Sequence, residues 1–295
     1  MIPLVIFHIG NQEYFQKCVT FNSKYNKVYI IGDETNKDIS NENQNIHHVN
    51  IKDLDTPEIH EFKNNFINYN TNPHEYEMNC FLRIFYIKNF LLKYEYEQIF
   101  HADSDCVILE NVNNIFTKES SINIAYSIIN LYEENDPYFM AGSIHNSLLN
   151  MSFCEKFIEL CFDIYINKTK FHLIEPKINW HRINNIGGGI CDMTLYYLIY
   201  KEKIIDNILN TNELFFLNNE KCVFDNQLSG FYGFNGDNTY LKSGEKYSPY
   251  FDIKKIIKKN DKYYFLTSDN QEIRALSIHY QGECKKFMIN NIHSL

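Results

Sequence analysis

The sequence predicts an α/β fold built on a doubly wound sheet, and three observations carry that prediction. The chain opens on a continuous apolar run, Ile2–Ile9, followed by a Gly10-Asn11 turn. A helical pattern then runs from Gln12 to about Tyr25, and a second apolar run, Lys27–Ile31, ends at Gly32-Asp33. Strand, helix and strand at this spacing form a βαβ unit. The alternation continues with a strand at Ile46–Ile51, a helix opened by Pro57 and reaching about Tyr69, and a long helix from Glu75 to Tyr94. Finally, Gln98–Leu109 reads as a strand carrying Asp103-Ser104-Asp105. The apolar runs are continuous rather than alternating, as expected of parallel strands buried on both faces. In such sheets ligands sit at the carboxyl ends of the strands, where Gly10-Asn11, Asp33 and Asp103/Asp105 all fall.

Beyond Leu109 the pattern is less regular. A short helix is expected over Asn111–Phe116, strands over Ser121–Ser127 and Tyr138–Ile144, and a helix over Ser147–Ile166 with Cys154 and Cys161 on its apolar face. Trp180-His181-Arg182 leads into Gly187-Gly188-Gly189, which permits a tight turn or a close backbone approach. Asp192 then stands as an N-cap candidate for a helix over Met193–Lys203. Phe231–Gly244 reads as a loop, Ile256–Thr267 with Ser268-Asp269-Asn270 as a hairpin leading to Ile273, and Ala275–Tyr280 as the last strand.

Composition excludes several functions. The net charge is −9, and no basic patch with interleaved aromatics occurs, so nucleic-acid binding is not expected. The lysine run Lys254-Lys255-Ile256-Ile257-Lys258-Lys259 reads as a solvated surface segment. The eight cysteines include no CxxC pair, which argues against a zinc ribbon or a redox motif. No signal-peptide pattern and no stretch long enough for a transmembrane span is found, so a reduced, cytoplasmic protein is expected.

Asp103 and Asp105 carry the chemistry. In a strand, residues i and i+2 share a side, so both carboxylates would face one point. Two crowded carboxylates repel unless something positive lies between them. A hard divalent cation with oxygen ligands, which in turn holds a diphosphate, answers that need.

Four motifs together resemble the GT-A fold glycosyltransferases, most closely the glycogenin-like and bacterial galactosyltransferase group. Asn11-Gln12-Glu13-Tyr14 is similar to the family's nucleoside-holding Asn-x-x-Tyr. Arg83 resembles its helix arginine, Asp103-Ser104-Asp105 its Asp-x-Asp, and His279-Tyr280-Gln281-Gly282-Glu283-Cys284-Lys285 its His-x-x-Gly-x-x-Lys. The resemblance implies a mixed, Rossmann-like sheet flanked by helices in a single domain over residues 1–295. Within it, residues 1–110 are the nucleotide-binding half and 111–295 the acceptor half.

It further implies a metal held by Asp103, Asp105 and His279, with Mn2+ favoured over Mg2+ because of the imidazole. Asn11, Tyr14, Asp33, Arg83, Asp103, Ser104, Gly282 and Lys285 are the expected donor contacts. The implied donor is a UDP-sugar, and the implied acceptor a glycan or another hydroxyl compound. Two departures stand out. The family's adjacent Asp-Gln is here Asp225-Asn226-Gln227, one residue longer. Gly187–Asp192 resembles instead the Gly-Gly-x-Asp region of inverting enzymes. Asp192 is therefore the base candidate for inversion, and Asp225 or Gln227 the sugar contact for retention. Trp180 is a candidate stacking platform or simply core.

Two rival functions remain. Asp103-Ser104-Asp105-Cys106-Val107 also fits the signature of haloacid-dehalogenase phosphatases, with Asp103 as nucleophile. A non-catalytic nucleotide-sugar-binding module would keep the fold without the activity.

Overall fold

The computed structural model describes residues 1–41, 43–117, 122–128, 137–229, 243–246 and 252–292. In chain order the elements are β1 (Leu4–His8), α1 (Glu13–Asn22), β2 (Val28–Gly32), β3 (Ile46–Asn50), α2 (Pro57–Asn65), α3 (His74–Tyr94), β4 (Gln98–Ala102), β5 (Cys106–Ile108) and α4 (Val112–Ile115). There follow β6 (Ala125–Ile128), β7 (Gly142–Asn150), α5 (Met151–Tyr165), α6 (Glu175–Asn184), α7 (Asp192–Lys201), β8 (Leu209–Asn210), β9 (Phe215–Leu217) and β10 (Glu220–Val223). The last are β11 (Ser243–Lys246), β12 (Asp252–Lys254), β13 (Ile256–Lys259), β14 (Lys262–Leu266), β15 (Glu272–Ala275), β16 (Ser277–His279) and α8 (Cys284–Asn291).

The expected α/β architecture is present. The main sheet runs β3-β2-β1-β4-β7-β6-β8. Its first four strands are parallel, whereas β7 is antiparallel to both β4 and β6, so the sheet is mixed. Side chains alternate between two cores, as the pleat demands. Val5, Tyr29, Ile31 and Ile99 pack under α2, α3, α5 and α7. Leu4, Ile6, Val28, Ile30 and Phe100 pack on the opposite face against Phe15 and Val19 of α1 and Phe224. Burial on both faces accounts for the continuous apolar runs. A smaller sheet, β13-β14-β15-β10-β9, supplies the third core with Phe265, Ile273 and Val223.

Several local expectations are corrected. Asp103–Asp105 is not in a strand but in a turn between β4 and β5, closed by Cys106 N–H donating to Asp103 O at 3.0 Å. The helix expected from Ser147 begins at Met151, because β7 continues to Asn150, whose side chain caps Phe153 N–H at 2.9 Å. The strand expected from Tyr138 starts at Gly142. The helix after Pro57 ends at Asn65 rather than Tyr69. Helices α6 and α8 had no counterpart in the sequence reading, and the expected last strand is split at Leu276 between β15 and β16. The expected hairpin is a three-stranded meander whose first turn is Asn260-Asp261, both at positive φ. Residue 121 of the expected Ser121–Ser127 strand and residues 231–242 of the expected loop lie outside the described residues.

The lysine run is also corrected at one position. Lys254 is buried at 4% exposure, facing inward from the end of β12, whereas Lys258 and Lys259 are exposed. Among the described residues no helix is long and apolar enough to cross a membrane.

Candidate functional site

A cavity of about 660 Å³ opens at the carboxyl ends of β1 and β4, a volume within the range of small-molecule sites. Its floor is the Asp103–Asp105 turn. Antiparallel pairing of β16 with β5 sets His279 opposite Cys106, and Tyr280 N–H donates to Asp105 O at 2.9 Å. This register carries a residue near the C-terminal end back to the acidic turn. One ligand atom from each of Asp103, Asp105 and His279 lies within 4.8 Å of the others.

His279 is oriented from three sides. Its Nδ1–H donates to Asn226 O at 2.6 Å, its backbone N–H to Asp225 Oδ2 at 2.9 Å, and its ring stacks on His145 with centroids 4.4 Å apart. A carbonyl can only accept, so Nδ1 carries the proton and Nε2 points toward Asp105 Oδ1, 3.4 Å away. Burial alone would push the imidazolium down, but the Asp105 charge overrides it and raises the His279 pKa to about 9. Burial likewise works against the Asp105 carboxylate, and His279 and Lys285 reverse that, holding it far below the usual carboxylate range.

Lys285 reaches the turn from the first helical turn of α8. Gly282, in a left-handed turn at φ +61°, precedes that helix, and Lys17 Nζ donates to Ile289 O at 2.8 Å, tying α8 to α1. Lys285 Nζ therefore lies 3.1 Å from Asp105 Oδ2 and 4.8 Å above the Tyr14 ring. On the opposite wall, Arg83 bridges two carboxylates, with Nη1 at 2.5 Å from Asp103 Oδ1 and Nη2 at 2.7 Å from Asp192 Oδ2. Asp192 is the first residue of α7 rather than its cap, a position taken by Cys191. Its other oxygen accepts from Met193 N–H at 2.9 Å.

Of the residues expected from sequence, Tyr14, Arg83, Asp103, Ser104, Asp105, Asp192, Gln227, His279 and Lys285 line this cavity. Asn11, Asp33, Gly282 and Asp225 do not. Asn11 is exposed and accepts from Gln16 Nε2, while Asp33 closes its own loop by accepting from Thr35 N–H. Gly282 has open space where a side chain would project. Asp225 is fully buried, with Oδ1 held by Lys254 Nζ and Oδ2 by His279 N–H. It braces β16 and does not line the cavity.

The sequence reading missed His8, Gln12, Tyr76, Asn79, Cys80 and His145, which also line the cavity. Tyr76, Asn79 and Cys80 precede Arg83 by seven, four and three residues on α3, a helical stripe that Arg83 alone could have revealed. His145 had no such signal, because it falls between the strand expected to end at Ile144 and the helix expected from Ser147, where β7 runs through.

The donor set fits a divalent metal. Two carboxylates and an imidazole with Nε2 directed at them make a mixed oxygen–nitrogen set of the kind Mn2+ accepts, and the Asn226 carbonyl fixes the tautomer that presents the lone pair when the ring is neutral.

No family model matches the chain, and no curated protein matches it. Among solved structures it is similar to mouse xyloside xylosyltransferase 1 in its apo form, with a TM-score of 0.43 and 11% identity over 72% of this chain and 86% of that one. It is also similar to the bifunctional glycosyltransferase WbbM, with a TM-score of 0.41 and 8% identity over 71% of this chain and 38% of that one. A third is the glycosyltransferase GlyE of Streptococcus pneumoniae TIGR4, with a TM-score of 0.36 and 13% identity over 71% of this chain and 45% of that one. The match therefore spans less than half of WbbM and of GlyE. Identities and TM-scores this low leave the functional reading to the cavity itself.

Proposed function

We propose that this chain is a metal-dependent glycosyltransferase of the GT-A type that moves a sugar from a nucleotide donor, a UDP-sugar, to a hydroxyl of a glycan or similar acceptor. The observation that carries it is the meeting of Asp103, Asp105 and His279 with Lys285 in one cavity.

Breaking the bond between the anomeric carbon and the β-phosphate builds negative charge on the departing diphosphate. A divalent cation held by Asp103, Asp105 and His279 supplies Lewis-acid stabilisation of that charge when bound. Lys285 supplies a second positive charge on the same side, and burial pulling its pKa down is outweighed by Asp105, so it stays protonated. Tyr14, under that ammonium, walls the nucleotide end of the cavity. Arg83 holds the Asp103 carboxylate toward the cluster and fixes Asp192 on the facing wall. Asp192 is then the carboxylate placed to orient and deprotonate an acceptor hydroxyl, and Gln227 the contact for the transferred sugar.

A screen of nucleotide sugars with Mn2+, reading release of nucleoside diphosphate, tests the proposal. Neither binding nor turnover of any donor, with and without metal, rejects it. Phosphate release from simple phosphomonoesters would support the phosphatase instead. The anomeric configuration of the product, read by NMR, decides between Asp192 as base and a retaining route.

A further inference from the structure

The triple glycine and the tryptophan are the sequence features that the donor cavity leaves without a role, and the structure joins them. Gly189 (φ +143°) bridges to Asn70, and a Cβ there would meet Tyr69 O at 2.0 Å. Gly188 (φ +108°) lies on the His181 ring, where a Cβ would stand 2.8 Å from Cε1, and its N–H donates to Thr71 Oγ1 at 2.8 Å. Only glycine permits either approach. The contact ties the end of α6 to the segment entering α3. Thr71, five residues before Tyr76 of the cavity lining, thus meets Gly188, Gly188 meets His181, and Trp180 beside His181 packs with Tyr138.

The far side of α6 is anchored as well. Lys177, buried at 5% exposure, donates to Met140 O at 2.9 Å and to Thr194 Oγ1 at 3.1 Å. Thr194 directly follows Asp192 and Met193 of the cavity wall.

We propose that this rim is the acceptor subsite and that it takes an oligosaccharide, laid across Tyr76 at the cavity mouth and the Trp180–Tyr138 pair beyond it. The inference rests on reading the cavity as a nucleotide-sugar site. Tyr138 and Trp180 have centroids 4.7 Å apart at 38°, a shallow open angle, and Tyr76 and Tyr138 are 60% and 42% exposed. Large rings left in solvent beside a cavity mark a binding surface. The C–H face of a pyranose is apolar with weakly positive hydrogens and stacks on the negative face of an aromatic ring. Its hydroxyls then need polar neighbours, and exposed Asn184, one turn on from Trp180 along the same face of α6, supplies one. Separate aromatic faces at Tyr76 and at the Trp180–Tyr138 pair offer more than one stacking position, which suits a chain of sugars better than one small alcohol.

Trp180 is the only tryptophan in the chain, so its fluorescence reports this rim alone. The full chain with UDP and Mn2+ is titrated with cellotriose, maltotriose, chitotriose and N-acetyllactosamine, while UDP binding is followed separately by calorimetry. At least one saccharide is expected to change the emission saturably. Tyr76→Ala should weaken that binding about tenfold. Phe216→Ala, an exposed ring on β9 away from the rim, should not. If UDP binds but no saccharide changes the emission, the acceptor proposal is overturned and the donor reading stands. A response to phosphatidylcholine vesicles without any response to saccharides, or full saccharide affinity in Tyr76→Ala, also overturns it. Failure of UDP to bind overturns the donor reading and the acceptor assignment with it.

Discussion

His279 Nδ1 and the backbone carbonyl of Asn226 lie 2.6 Å apart, and this bond decides how the imidazole meets the acidic turn. With Nδ1 committed as donor, Nε2 faces Asp105, and the neutral ring offers its lone pair where the two carboxylates converge. The same loop provides Asp225, which accepts the His279 backbone N–H. Asp225 and Asn226 thus orient His279, and of the two expected sugar contacts only Gln227 lines the cavity.

Asp105 Oδ1 lies 3.4 Å from His279 Nε2 and its Oδ2 3.1 Å from Lys285 Nζ, so Asp105→Ala removes a proposed ligand and the counter-charge of Lys285. Metal-dependent UDP affinity should fall at least about a hundredfold, roughly 3 kcal/mol. Calorimetry with and without Mn2+ checks this, and unchanged affinity would count against the assigned site.

Lys254 and Asp225 form a buried ion pair, at 4% and 0% exposure. Lys254→Met strips the partner from a buried carboxylate and should cost about 3–5 kcal/mol, measured by urea unfolding. A small loss of stability combined with loss of turnover would instead return Asp225 to a direct part in the chemistry.

Glu77 is 1% exposed, accepts from Asn72 Nδ2 at 2.6 Å, and has no partner for Oε2 among the described residues. Burial raises its pKa above the ordinary glutamate value of 4.5. The folded state therefore holds its proton more tightly than the unfolded chain, and stability falls as pH rises from 4.5 through the raised value. Glu77→Gln should be more stable than the parent at neutral pH, with the advantage vanishing once both are compared below the unfolded pKa. Melting curves across pH settle the matter, and a pH-independent difference would refute the assignment.

Gly189→Ala places a Cβ 2.0 Å from Tyr69 O at φ +143°, whereas at Gly187 the nearest atom is Thr71 Oγ1 at 3.6 Å. The first substitution should destabilise by about 1–3 kcal/mol and loosen the rim, and the second should be nearly neutral. Chemical denaturation of the two variants side by side tests the pair, and equal effects would remove the requirement for close approach.

Much was legible along the chain because it depends on local order. The apolar runs of β1 and β2, the Pro57 start and the long α3 follow from periodicity and capping alone. Boundaries failed where tertiary pairing outweighed local pattern. Strand β7 runs on to Asn150 because β4 pairs with it residue for residue from Gln98 to Ala102. Lys254 looked solvated in a lysine run and is buried because Asp225 lies inside to receive it.

The sequence by itself determined the parallel core and the residue types at the turn, since hydrophobic period and short motifs are written in neighbouring residues. Only the tertiary structure decided which of those residues meet. Whether Asp225 faces a ligand or a lysine, and whether the triple glycine approaches a ligand or a neighbouring segment, depends on strand register and on packing between distant segments. The β5–β16 pairing and the Asn70–Gly189 bridge settle those placements, and neither leaves a mark in the order of nearby residues.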